Sequence, residues 1–195
     1  MQFGSLSRLL HSSAPLGHLV WWTGTDPGPS MAELRPRWAR AGLPPGADSL
    51  PLALEQAIGA WLGVPLLERS GVFWLAPPFS PRLAELKEAL SPFRGWELHL
   101  VPVRADPQTL AALRASAARA LSSRLSAVCA ELESQLAQPR TPAALLLRRL
   151  DALERLRAQD RLNAEHLSLE HPGLAAHLED WTRRVDAALC ARIVA

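Results

Sequence analysis

The chain has 195 residues, of which 48% are hydrophobic and 21% charged, and its formal net charge is +2. That make-up fits one globular domain or two small ones, and it excludes a disordered chain, which would be more polar and more strongly charged. Charge is evenly spread, with nine basic and nine acidic side chains over 1–106 and twelve against ten over 107–195, so the electrostatic footprint of a duplex-DNA binder is missing.

At the N-terminus Arg8 precedes some leucine, but His11, Ser12, Ser13 and Pro15 interrupt any signal-like apolar core, so export is not expected. No apolar run reaches the roughly 20 residues of a membrane helix. The first strand candidate is His18–Thr23 (HLVWWT), closed by Gly24. The loop Gly24–Ser30 follows. It occupies the position of a phosphate loop, but it lacks the Gly-Lys-Ser/Thr ending and its two prolines remove amides, so it reads as a connector. Ser30 and Glu33 form a capping box that starts a short helix at Met31, and Pro36 ends or kinks it. Leu50–Leu62 reads as a helix stopped by Gly63. Val64–Arg69 and Val72–Ala76 read as two strands joined at Ser70-Gly71. Ser80-Pro81 supplies a cap and a first-turn proline to a helix over Leu83–Leu90. Trp96–Val103 reads as a strand, and Pro102 removes a ladder donor, which places that strand at a sheet edge.

Strand, helix, hairpin, helix, strand is the βαββαβ order of ferredoxin-like domains, with an extra short helix after the first strand. The fold class expected for 1–105 is therefore α+β. In that topology the first and third strands are central and both helices cover one face.

Composition changes near residue 106. Thirteen of the seventeen prolines, all four phenylalanines and six of the seven tryptophans precede Asp106, and no glycine lies between Gly95 and Gly173. Residues 106–195 therefore form a separate, coiled-coil-like helical region. Asp106-Pro107 caps a helix of about 30 residues. It is striped by Leu110, Leu113, Ala117, Leu121, Leu125, Val128, Leu132 and Leu136. Thr141-Pro142 starts the next helix, whose stripe at Leu146, Leu150 and Leu153 blurs beyond Arg157; there Glu154, Arg155, Arg157, Asp160 and Arg161 read as a solvated face. His171-Pro172 starts a third, striped by Leu174, Leu178, Trp181, Val185 and Leu189. Short joints make this an antiparallel helical hairpin with a returning helix.

No catalytic arrangement stands out. Glu165, His166, Glu170 and His171 cluster near a helix end, with His177 the nearest further ligand, and read as a solvated polar corner rather than a metal site. No cofactor and no metal are expected. Cys129 and Cys190 read as two small hydrophobes in a reducing compartment; a bridge between them is left open by the spacing.

The more informative feature is the sheet. Strand alternation separates Leu19 and Trp21 from His18, Val20 and Trp22, Phe73 and Leu75 from Val72 and Trp74, and Trp96, Leu98 and Leu100 from Glu97, His99, Val101 and Val103. With helices on one face, the other is expected to carry Trp22, Trp74 and His99, with Arg69 on the same face and Arg104 nearby. RNA-recognition domains use such a face to stack bases, but Arg69–Leu75 (RSGVFWL) lacks their glycine-aromatic spacing. The alternative is that this face is buried, under the C-terminal helices or a second subunit.

The composition also carries a source signal. One lysine (Lys87) against twenty arginines, no tyrosine and a single asparagine (Asn163) point to a GC-rich genome, so the arginines are not functional by default. Trp22-Thr23-Gly24, Gly71–Pro77 (GVFWLAP) and the helix-rich end resemble a group of poorly characterised proteins carried by phages and plasmids. The resemblance covers the first half of the chain and implies a mobile-element context, with no activity or site. The chain is expected to be a cytoplasmic, non-enzymatic interaction or assembly protein, a homo-oligomer or the partner of another protein. Its helical interface is expected at Leu110, Leu113, Leu121, Leu125, Val128 and Leu132. The alternative expectation is a single-stranded nucleic-acid binder using Trp22, Trp74, His99, Arg69 and Arg104, again with no membrane.

Overall fold

The computed structural model describes residues 15–24, 49–66, 71–91, 93, 95–138 and 141–194. In chain order these form β1 (His18–Gly24), α1 (Leu50–Ala60), β2 (Val64–Pro65), β3 (Phe73–Leu75), a 3-10 turn (Pro77–Phe79), α2 (Ser80–Leu90) and β4 (Trp96–Pro102). Three long helices follow: α3 (Pro107–Ala137), α4 (Ala143–Leu167) and α5 (Leu174–Val194). The fold is α+β. The capping box at Ser30, its short helix and the Gly24–Ser30 loop beyond Gly24 lie outside the described residues.

The four strands form one sheet in the order β2-β3-β1-β4, and every neighbouring pair is antiparallel. β1 and β3 lie inside; β2 and β4 lie at the edges, which suits the missing amide of Pro102. β2 and β3 are shorter than the sequence pattern suggests. Their ladder among the described residues ends at Leu66 N donating to Val72 O at 3.0 Å, and Gly71 beyond it takes φ +65°.

Helical periodicity places Leu50, Ala53, Leu54, Ala57 and Ile58 on one side of α1, and Leu83, Leu86 and Leu90 on one side of α2. Both stripes pack with Val20, Leu75 and Leu98 into one core, with Trp22, Phe73, Trp96 and Leu100 half-buried against it. At one helix start the structure departs from the sequence reading. Ser80 does not cap α2; its hydroxyl meets His18 Nδ1 at 3.2 Å, and the 3-10 turn of Pro77–Phe79 leads into the helix instead. Thr141 acts on the helix before it, donating from Oγ1 to Gln135 O at 2.7 Å, and this closes the joint that turns the chain back into α4.

The chain separates into two compact units, residues 1–116 and 117–195. The division falls inside α3 rather than at residue 106. The first turns of that helix belong with the sheet, and Ser116 Oγ donates to Leu66 O at 3.1 Å.

In the second unit, Leu121 and Leu132 of α3 join Leu146, Leu153 and Leu156 of α4 and Leu174, Leu178, Trp181 and Val185 of α5 in a single core, with Leu125 and Val128 packed against it. The stripe expected to meet a partner is therefore filled by the chain's own helices. Of the remaining interface candidates, Leu113 is buried and Leu110 half-buried in the first unit. Arg149 pairs with Glu131 and Arg124 with Gln159, a crossing order that antiparallel α3 and α4 require. The α4 stripe does not stop at Arg157. It continues through Gln159 and Asn163, which are 3% and 0% exposed, so it is a buried seam carried on by polar residues.

Two predictions test these local readings. At the start of α3, Asp106 accepts bonds from Thr109 Oγ1 at 2.5 Å and from Thr109 N at 2.9 Å. The hydroxyl bond first, and the amide bond second, hold the Asp106 carboxyl below its ordinary pKa. A lowered folded-state pKa gives stability that is present above the unfolded value and is lost as pH falls through the folded one. Thermal melts across acidic pH will therefore show the gap between wild type and Asp106→Ala closing as the carboxylate protonates; a gap constant with pH contradicts this. At the end of α4, exposed Ser168 holds φ +49°. Ser168→Gly relieves that conformation and is expected to raise unfolding free energy by about 1 kcal/mol in denaturant titration.

Candidate functional site

Register decides which side chains share a face. Val20 lies opposite Phe73 and Leu100, and Trp22 opposite Leu98; Leu19 lies opposite Trp74 and Val101, and Trp21 opposite His99. The helix-covered face therefore carries His18, Val20, Trp22, Phe73, Leu75, Leu98 and Leu100. The second face carries Leu19, Trp21, Thr23, Val64, Trp74, Glu97, His99 and Val101.

This corrects the expected grouping. Trp22 is on the helix side, its ring stacked on Phe73 with centroids 5.8 Å apart and planes 11° from parallel. Trp74 is on the second face but only 1% exposed, with Val64 beside it equally closed. Its indole Nε1 donates to Leu16 O at 3.1 Å. His99 is on the second face and half-buried. Arg104 is exposed beyond the end of β4. Arg69 lies outside the described residues. Among the described ones, Trp74 and His99 share a face, and Trp74 has no surface to offer a ligand.

Gly17 makes the Trp74 anchor accessible. It takes φ +122°, and a Cβ there would stand 2.1 Å from Leu75 O and 2.9 Å from Trp74 Nε1. Leu16 N and Val103 N flank the same point, bonding to Val103 O and Gly17 O at 3.0 and 2.9 Å. The β2–β3 half of the second face is thus packed shut.

The β1–β4 half is different. Trp21 and His99 stack at 5.1 Å with planes 17° apart, and both are half-buried. His99 Nε2 meets Thr23 Oγ1 at 3.0 Å in an exposed setting, which holds the imidazole flat against the indole. Val101 beside them is 43% exposed, and Glu97 and Thr23 are exposed at one end. The sequence reading missed Trp21 because both phases of β1 carry a tryptophan. One signal was available. Gly24 lies opposite Trp96, whose ring covers the space a Cβ would fill, at 2.3–2.5 Å. A large aromatic over a strand glycine is a recurrent pairing, and it puts Trp22 in phase with Trp96 and Leu98.

Among the described residues no group of three or more His, Cys, Asp or Glu side chains is placed to hold an ion. His171 Nδ1 pairs with Asp160 Oδ1 at 2.8 Å, so Asp160 is an anchor for the α4–α5 joint rather than part of a solvated face. Cys129 and Cys190 are both free thiols. Burial first, and Glu133 second, push the Cys129 thiol up from its ordinary pKa, which keeps it protonated and a poor nucleophile. No helix among the described residues is long and apolar enough to cross a membrane. No family, curated protein or solved structure matches this chain.

Gly17→Ala tests the closure of the Trp74 half. A left-handed φ with a side chain costs about 1–3 kcal/mol before any overlap is counted, and the Leu75 carbonyl cannot yield without opening the ladder. The variant is expected to lose at least that stability in urea titration and to shift its tryptophan emission to the red; unchanged emission and stability contradict the assignment.

Proposed function

We propose that this chain is a non-enzymatic interaction protein that self-associates through the β1–β4 half of its second sheet face. The observation that carries the reading is the half-exposed Trp21, stacked on His99 beside the exposed Val101. Tryptophan dominates interface hot spots because it buries a large rigid surface with few rotors to freeze. An isologous contact, in which the same patch meets itself, is the commonest way for a soluble chain to cover such a surface. Its N-terminal unit is read as ferredoxin-like; the order β2-β3-β1-β4 with β1 and β3 inside supports that reading. The setting that goes with it is cytoplasmic, and the resemblance through Trp22-Thr23-Gly24 and Gly71–Pro77 suggests a phage or plasmid source.

A second reading, single-stranded nucleic-acid binding, keeps one specific support. The near-parallel Trp21–His99 pair offers ring surface on a sheet, and Arg104 is exposed beyond the end of β4. A net charge of +2 weighs against it.

Light scattering from low to high micromolar concentration separates the two readings. Self-association is expected in wild type, with Trp21→Ser raising the dissociation constant at least about thirtyfold, the loss of one hot spot. A monodisperse monomer at every concentration overturns the first reading. Tryptophan quenching by an oligonucleotide at low salt, lost at high salt and in Trp21→Ser, establishes the second.

A further inference from the structure

We propose that a cleft in the helical unit binds a small organic carboxylate with an apolar body. The cleft has a volume of about 380 Å³ and lies between α3 and the start of α5, entirely within residues 117–195. That size is within the usual range of small-molecule sites, roughly 300–1,000 Å³. Leu121, Leu125 and Leu174 supply apolar wall, and Ser122, His171 and His177 supply the polar part.

The hydrogen bonds already made within the unit decide which polar atoms remain for a ligand. The Trp181 indole N–H can only donate, and it reaches His177 Nε2 at 3.2 Å. His177 Nε2 is therefore an acceptor, approached also by Cys129 Sγ at 3.6 Å, and the ring proton sits on Nδ1. The free edge of His177 is a donor. His171 offers no nitrogen: Nδ1 is held by Asp160, and Nε2 is buried without a partner. It contributes ring surface. Ser122 is exposed and its hydroxyl donates or accepts. The fixed donor thus selects a ligand that brings an acceptor.

Charge points the same way. The cleft wall includes Gly173 and Leu174, where α5 begins, and that helix has no acidic side chain in its first turn to offset the positive end of its dipole. Asp160, which is paired with His171, is not part of the lining. An anionic head beside His177 and Ser122, with its hydrocarbon against Leu121, Leu125 and Leu174, satisfies every wall.

The test is an amide NMR titration of the full chain with octanoate, octanol and inorganic phosphate. Octanoate is expected to give saturable shifts at Gly173, Leu174 and His177, while octanol and phosphate at equal concentration give none. Ser122→Ala and His177→Ala are each expected to weaken octanoate about tenfold, the loss of one bond to a charged group. Ser122→Trp, which fills the mouth from an exposed position, is expected to abolish the shifts while the remaining spectrum stays folded. Absence of saturable shifts overturns the proposal. So does octanol binding as tightly as octanoate, because the head then plays no part, and so does phosphate doing so, because the apolar wall then plays none.

Discussion

The structure of the first unit depends on the phase of β1. Val20 is fully buried between α1, α2 and the neighbouring strands. A strand repeats every two residues, so fixing one side chain fixes all of them. With Val20 inward, Trp22 must join the core and Trp21 must face away. Sliding the strand by one residue would exchange two tryptophans of equal size, so their volumes do not choose between the phases. The choice is made by what surrounds them. Val20 fits into the core that the stripes of α1 and α2 share with the sheet, and Gly24 leaves room for the Trp96 ring. A bulky residue at 24 would oppose this phase at the far end of the strand.

Once the phase is set, the second face divides. Near β3 the chain spends a positive-φ glycine and a carbonyl to seat the Trp74 indole, so a large aromatic is buried with its polar atom satisfied. Near β4 no comparable device exists among the described residues. Trp21 is instead flattened by His99, which is itself held by Thr23. A stacked pair of this kind is worth about 0.5–1.5 kcal/mol beyond its buried area. That is enough to preorganise the surface without hiding it, and a preorganised aromatic surface binds with little further loss of rotamer freedom.

Much of this was legible in the residues. The order of elements, the strand with Pro102 at an edge and the long helix after Asp106-Pro107 all follow from local signals: alternation, capping residues and proline placement. What local signals do not carry is cross-strand register. Alternation divides each strand into two phases but does not say which phase of β1 aligns with which phase of β3. That is why Trp22 and Trp74, assigned to one face by pattern, lie on opposite faces. The helical stripe was expected to meet a partner, whereas the chain's own helices cover Leu121, Leu125, Val128 and Leu132. Leu121, Leu125, Val128 and Leu132 look the same in sequence whether another chain or α4 and α5 cover them, and only the tightness of the Thr141 joint decides.

The blurred stripe of α4 has a related cause. Beyond Leu156 the next buried positions are Gln159 and Asn163, before the stripe returns to an apolar residue at Leu167, and the two polar side chains form a chain with Arg124. The guanidinium donates to Gln159 Oε1 at 3.3 Å, and Gln159 Nε2 donates to Asn163 Oδ1 at 3.2 Å. Burial lowers the Arg124 pKa, and Asn163 Nδ2 has no partner. Leucine at both positions would avoid the cost of that orphaned amide, about 1–3 kcal/mol. An all-apolar seam, however, would let α3 and α4 slide by a turn with little penalty, because one leucine replaces another. A directional polar pair matches at one register only. The sequence gap after Arg157 is therefore the mark of a register device, and it lies next to Asp160, whose pairing with His171 fixes where the chain turns into α5. Both restraints act at the same end of the helical unit, where the cleft lined by His171 and His177 is formed.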